Sequence, residues 1–141
     1  MRMAGSGAAL RREVAGRAHG RCEYCHCPAA YAGSSFCIEH IQPKGIGGPT
    51  RLENLAFACP GCNAFKSDKT AALDPATRRA ERLFDPRSDA WEVHFRWSAD
   101  GLEVLPLTGI GRVTAATLRL NRPALRNLRR ALKEIGVHPP E

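Results

Sequence analysis

Two Cys-x-x-Cys pairs, Cys22/Cys25 and Cys59/Cys62, constrain this chain more than any other feature in it. Two intervening residues let both thiolates of a knuckle converge on one edge of a tetrahedron, so two knuckles complete a single four-cysteine site. A site whose four positions are all protein ligands leaves none open for substrate and is structural. Here it would tie residues 22–25 to residues 59–62 and close the segment between them into a loop. Cys27 and Cys37 have no partner at that spacing and read as small buried hydrophobes.

The choice of zinc over disulfides follows from the expected setting. Six cysteines occur in a chain with no charged segment leading into an apolar leader, which points to a reducing, cytoplasmic environment. No apolar run approaches the length of a membrane span. Lys and Arg outnumber Asp and Glu by 21 to 14, a net charge of +7 that favours a polyanionic partner and says little about fold. A length of 141 residues favours one domain with a usable core.

Between the knuckles the punctuation is informative. Phe36 to Ile41 is short and rich in strand-forming residues, and Leu55 to Ala58 can return as a second strand. Pro43, Gly45, Gly47, Gly48 and Pro49 forbid regular structure, so residues 42–53 should form a long irregular loop. Asn63 follows the second knuckle and opens a helix, with Lys66 and Ser67 one turn further along. The order is strand, loop, strand, helix.

These residues in this order, Cys-x-x-Cys, Glu39-His40-Ile41, Pro43, Gly47-Gly48, Asn54-Leu55, Cys-x-x-Cys-Asn63 and Lys66, resemble the HNH endonuclease family over about a third of the chain. The resemblance implies a ββα-metal core, braced by zinc, that hydrolyses phosphodiester bonds. One departure is Glu39, where the family most often has Asp; the extra methylene changes reach and not charge. Hydrolysis needs a base to activate water and a cation beside the phosphate. His40 is the natural base, since an imidazole near its reference pKa is largely neutral at pH 7. Glu39 and Asn63 offer the sparse oxygen set that suits Mg²⁺ or a similar divalent ion. By resemblance, Asn54 braces the loop and orients His40. Lys66, near a helix amino end, is expected to contact nucleic-acid phosphate. In a flat strand Glu39 and His40 point to opposite faces, so they address one phosphate only if the strand twists, bulges or ends there.

The flanks read less sharply. Residues 1–7 are expected to be disordered, and Leu10, Val14 and Ala18 mark a helix from Ala8 to about His19-Gly20, with Arg11, Arg12 and Arg17 solvated. Asp74-Pro75 predicts a helix to about Phe84. Trp91, Val93, Phe95 and Trp97 alternate with Glu92, His94 and Arg96, which predicts a hairpin with Leu102 to Leu107, its aromatic face in the core and His94 on the polar side. Residues 114–135 read as helical with a break near Asn121 and Pro123. Leu118, Leu125, Leu128, Leu132 and Ile135 form an apolar stripe there, and Arg122, Arg126, Arg129, Arg130 and Lys133 a face that is either solvated or tracks a phosphate backbone. The expectation is thus an α+β chain, one domain over residues 8–141, with residues 22–72 as core and 73–141 as a helical and hairpin wrap. DNA is the favoured substrate. Two alternatives stay open: a zinc-containing nucleic-acid-binding module that does not cut, and an RNA-cleaving nuclease.

Overall fold

In the computed structural model, which describes residues 7–140, helix α1 (Gly7–Arg17) carries Val14 fully into the core. Arg11 donates to the Phe36 carbonyl and Arg17 to the Leu55 carbonyl, so two arginines expected on a solvated face instead dock α1 onto the strands behind it. The helix takes in Gly7, the last residue of the expected disordered tail; residues 1–6 of that tail lie outside the described residues. The chain leaves α1 through His19 and Gly20, both left-handed.

Strands β1 (Cys37–His40) and β2 (Leu55–Ala58) pair antiparallel, with Glu39 opposite Ala56 and His40 opposite Leu55. All four residues of β2 are buried. Its second edge is closed by the first knuckle, where Glu23 N donates to Phe57 O at 2.8 Å and Phe57 N donates to the Glu23 carboxylate at 2.9 Å. An unpaired edge would otherwise leave these backbone groups without partners in the interior. The connection between the strands contains only two short 3₁₀ turns, Lys44–Ile46 and Leu52–Asn54. Glycine is required at position 48, because a Cβ there would stand 1.7 Å from the Gln42 carbonyl oxygen. Helix α2 (Pro60–Lys66) starts three residues before the expected Asn63: Cys59 caps it by accepting from Cys62 N, and Pro60 supplies the preset first turn.

The helix expected from Asp74 does not form. Strands β3 (Ala71–Leu73) and β4 (Ala80–Arg82) make a hairpin there, turned by Asp74 N donating to Arg79 O and Arg78 N to Asp74 O, both at 2.8 Å. The fully buried Asp74 carboxylate accepts from Ala76 N at 2.9 Å and from Arg112 Nε and Nη2 at 2.9 and 2.8 Å. Asp-Pro serves a turn as well as a helix start, and the distant arginine decides between them.

The predicted aromatic hairpin is shorter than its pattern. Trp91–His94 form one helical turn, α3, before β5 (Phe95–Trp97) pairs with β6 (Val104–Pro106). That turn breaks the alternation, so Val93 is 57% exposed while His94 is buried with Nδ1 2.7 Å from Thr108 Oγ1. Trp91 does stack on Phe95 and Trp97, at centroid distances of 5.1 and 5.3 Å, and packs on the core as expected. Helices α4 (Gly109–Thr117) and α5 (Pro123–Glu134) meet at the expected break, but α4 begins earlier, at the Thr108 cap. Leu118, Leu125 and Leu132 are buried, whereas Ile135 at the end of the stripe is 60% exposed. Arg129, expected on the basic face, is itself buried and donates to Leu120 O at 2.7 Å and Leu102 O at 3.0 Å. The fold is α+β, and no described helix is long and apolar enough to cross a membrane.

Candidate metal centre and active site

The two knuckles meet between the start of α2 and the edge of β2. The Sγ atoms of Cys22, Cys25, Cys59 and Cys62 all lie within 4.8 Å of one another, and Cys25 and Cys59 are 3.7 Å apart. Zinc–sulfur bonds of about 2.3 Å set tetrahedron edges of about 3.8 Å, so the thiols fit a zinc ion. Backbone N–H groups already point at the sulfurs, Cys25 N at Cys22 Sγ (3.5 Å) and Cys62 N at Cys59 Sγ (3.4 Å). All four residues are buried. Burial pushes the Cys22 thiol well above its ordinary value, and hydrogen bonds from neighbouring thiols do the same for Cys62. Such a cluster holds protons or a cation, never four bare charges. Cys27 is buried as expected, yet its Sγ stands 3.4 Å from that of Cys25, next to the cluster and outside the four. Cys37 is half-buried on β1.

His40 is the last residue of β1 and is half-buried, with Nε2 2.9 Å from Thr50 Oγ1; among the described residues Nδ1 has no hydrogen-bond partner. The loop is held shut by Asn54, which is 6% exposed. Its Oδ1 accepts from Gln42 N at 2.8 Å, and its Nδ2 donates to Gln42 O at 3.1 Å and Pro49 O at 2.9 Å. One amide therefore fixes both ends of residues 42–49, and with Pro49 fixed, Thr50 is fixed against His40. Burial and the nearby Lys44 ammonium lower the His40 pKa below the ordinary 6.5, so the ring is neutral at pH 7. Thr50 was not legible as a site residue: its only sequence signal is its place after Pro49. Replacing Asn54 by Ala should destabilise the protein by about 1–3 kcal/mol, since three loop groups lose their partner. Chemical denaturation checks this, and the same variant should also lose His40 ordering.

The other two expected residues lie elsewhere. Glu39 is 4% exposed, and both of its oxygens are taken, Oε1 by the Tyr24 hydroxyl and Oε2 by Lys66 Nζ, each at 2.6 Å. Lys66 is 1% exposed and also donates to Ile41 O at 3.2 Å. It is therefore an internal cation and not the expected surface contact to phosphate: from the last position of α2 it reaches back to the Glu39 carboxylate on β1 and the Ile41 carbonyl just beyond it. Burial raises the Glu39 pKa even against the pull of Lys66. A carboxylate neutralised in this way does not fit the role of an open ligand for a divalent ion. The alternation of β1 explains the separation, with His40 turned to the loop and Glu39 to the interior. Asn63, half-buried on α2, has no side-chain hydrogen bond among the described residues and does fit as an oxygen donor.

Comparison with known proteins agrees with the arrangement at the level of the family. Residues 22–69 match the family model described as HNH endonuclease. No curated protein and no solved structure matches the chain.

Proposed function

Since residues 22–69 match the HNH endonuclease family model, we propose that the chain is a nuclease that hydrolyses phosphodiester bonds in DNA, with His40 as general base. The observation that carries this reading is the sequence of contacts from Asn54 through Pro49 and Thr50 to His40. With the Thr50 hydroxyl accepting from Nε2–H, the imidazole keeps the tautomer whose Nδ1 lone pair is free to take a proton from water. Exposed Lys44 and Arg51 on the same loop are the cations suited to a phosphate beside His40, in place of Lys66. HNH nucleases use divalent metal ions; Mg²⁺ or a similar ion is the proposed cofactor, with the Asn63 amide oxygen as a donor beside it, and Zn²⁺ the ion of the thiol site. Glu39 anchors Tyr24 and Lys66 and supplies no step. A reducing, cytoplasmic setting would keep the thiols available to zinc.

Replacing His40 by Ala should lower the cleavage rate about 10²- to 10⁴-fold, the usual contribution of a positioned base, with zinc content unchanged. The neutral ring is the active form, so activity falls as pH drops through the His40 pKa, and that acid limb should lie below 6.5. Removing the Lys44 charge should move the limb upward. An acid limb that does not respond to Lys44, together with an active His40→Ala variant, contradicts the assignment.

One observation favours a second reading, a nucleic-acid-binding module that does not cut: the carboxylate expected to hold the divalent ion is paired with Lys66. On that reading the His40→Ala variant binds DNA as wild type does and neither protein yields product. RNA competes equally with DNA for cleavage only if the substrate class extends to RNA.

A further inference from the structure

Arg122 stands one residue before Pro123, at the point where α4 and α5 join, and its guanidinium lies on the thiol cluster. Nη2 is 3.5 Å from Cys59 Sγ and 3.8 Å from Cys62 Sγ, and Nη1 is 3.7 Å from Cys62 Sγ. The group is clamped from behind. Nη1 also donates to the Leu118 and Arg119 carbonyls at 3.0 and 3.2 Å, and the guanidinium carbon sits 5.4 Å from the centroid of the Phe65 ring. A second, independent feature keeps the approach open. Gly61, between the two cysteines of the second knuckle, would carry a Cβ only 2.5 Å from Nη2. Any other residue at that position displaces the guanidinium.

Four thiolates around Zn²⁺ leave a net charge of −2 in a site where Cys22 and Cys62 are fully buried. Uncompensated charge of that size in the interior is strongly unfavourable. We propose that Arg122 is the compensating cation of the zinc site, a positioning residue that holds the Cys59 and Cys62 sulfurs in place and slows loss of the metal. This rests on the reading of the four thiols as a zinc site. Its consequence is that the zinc site includes the α4–α5 junction, more than fifty residues beyond the segment that matches the HNH family. Arg126 provides the internal control: it lies one turn further on, in α5, and pairs with Glu103 at 3.6 Å.

The test is zinc transfer from the zinc-loaded full chain to a chromophoric chelator, for wild type, Arg122→Lys, Arg122→Met, Arg126→Met and Gly61→Ala. Outer-shell partners typically change metal affinity about 10- to 100-fold. Arg122→Met should release zinc at least about ten-fold faster than wild type, Arg122→Lys should fall between them, and Arg126→Met should match wild type. With Co²⁺ in place of zinc, the thiolate charge-transfer bands should shift in Arg122→Met and Gly61→Ala and stay in place in Arg126→Met. Should Arg122→Met fail to fold, Gly61→Ala carries the same prediction with the arginine retained. Unchanged release rates and cobalt spectra in the Arg122 and Gly61 variants overturn the role of Arg122 and leave the zinc site standing. A wild-type chain that binds no zinc overturns both.

Discussion

A chelator strong enough to strip zinc should unfold the segment from the first knuckle through α2 in one cooperative step, with loss of far-UV and aromatic signals together. The four thiols bring Cys22 and Cys25 against the N-terminus of α2, and a zinc ion held among them would join the two directly. Removing the ion leaves four buried thiols too close to ionise and too poorly solvated to separate. Structural zinc contributes on the order of 10–16 kcal/mol in small zinc-dependent units, which is comparable to the whole stability of an ordinary domain. Replacing Cys62 by Ser should have the same effect without chelator, because Cys62 is both a thiol of the cluster and part of the first turn of α2. Re-addition of zinc should refold the stripped wild type and not the variant. A stripped protein with an unchanged melting curve would show that thiol packing alone holds the knuckles.

Replacing Lys66 by Met should lower stability by about 3–5 kcal/mol at neutral pH, the usual result of removing one member of a buried ion pair. The effect comes from Glu39, left in the interior with only the Tyr24 hydroxyl as partner. The pH dependence has a definite sign. Burial already raises the Glu39 pKa in the fold, and without Lys66 it rises further. Protonation then removes the buried charge, so the variant's deficit shrinks as pH falls toward 5 and grows as pH rises toward 8. A double variant, Glu39→Gln with Lys66→Met, should recover most of the loss. If the single and double variants are equally unstable at every pH, Lys66 acts by packing and not by charge.

The candidate site was legible where a residue belongs to a spaced motif and illegible where its partner carries no motif of its own. Knuckle spacing alone brought Cys22, Cys25, Cys59 and Cys62 together, and prolines and glycines marked the loop that Asn54 clamps. Glu39 and Lys66 were misplaced because strand alternation says which residues share a face but not which face is covered. Tyr24, sixteen residues away from His40 in sequence, is what commits Glu39 to the interior. The flanks failed for the same kind of reason. Asp74-Pro75 carries a good helix-start signal, yet Arg112, supplied by a helix that the pattern starts too late, holds Asp74 in a turn. A single helical turn at Trp91–His94 inverts the faces of Val93 and His94, and nothing in an alternating pattern announces it. Arg122 and Arg129 read as surface charge because long side chains usually are, and only the packed structure reveals what their heads meet.

The most direct test of nuclease activity is a supercoiled-plasmid assay with zinc-loaded wild type and His40→Ala, each with Mg²⁺ or Mn²⁺ added or withheld, and with folding checked by melting curve. Wild type should convert the plasmid to nicked or linear product only with the divalent ion, and His40→Ala, equally folded, should lose at least about a hundred-fold in rate. Folded, zinc-loaded wild type that cuts neither plasmid nor RNA, or cleavage that survives intact in His40→Ala, would contradict the proposed function.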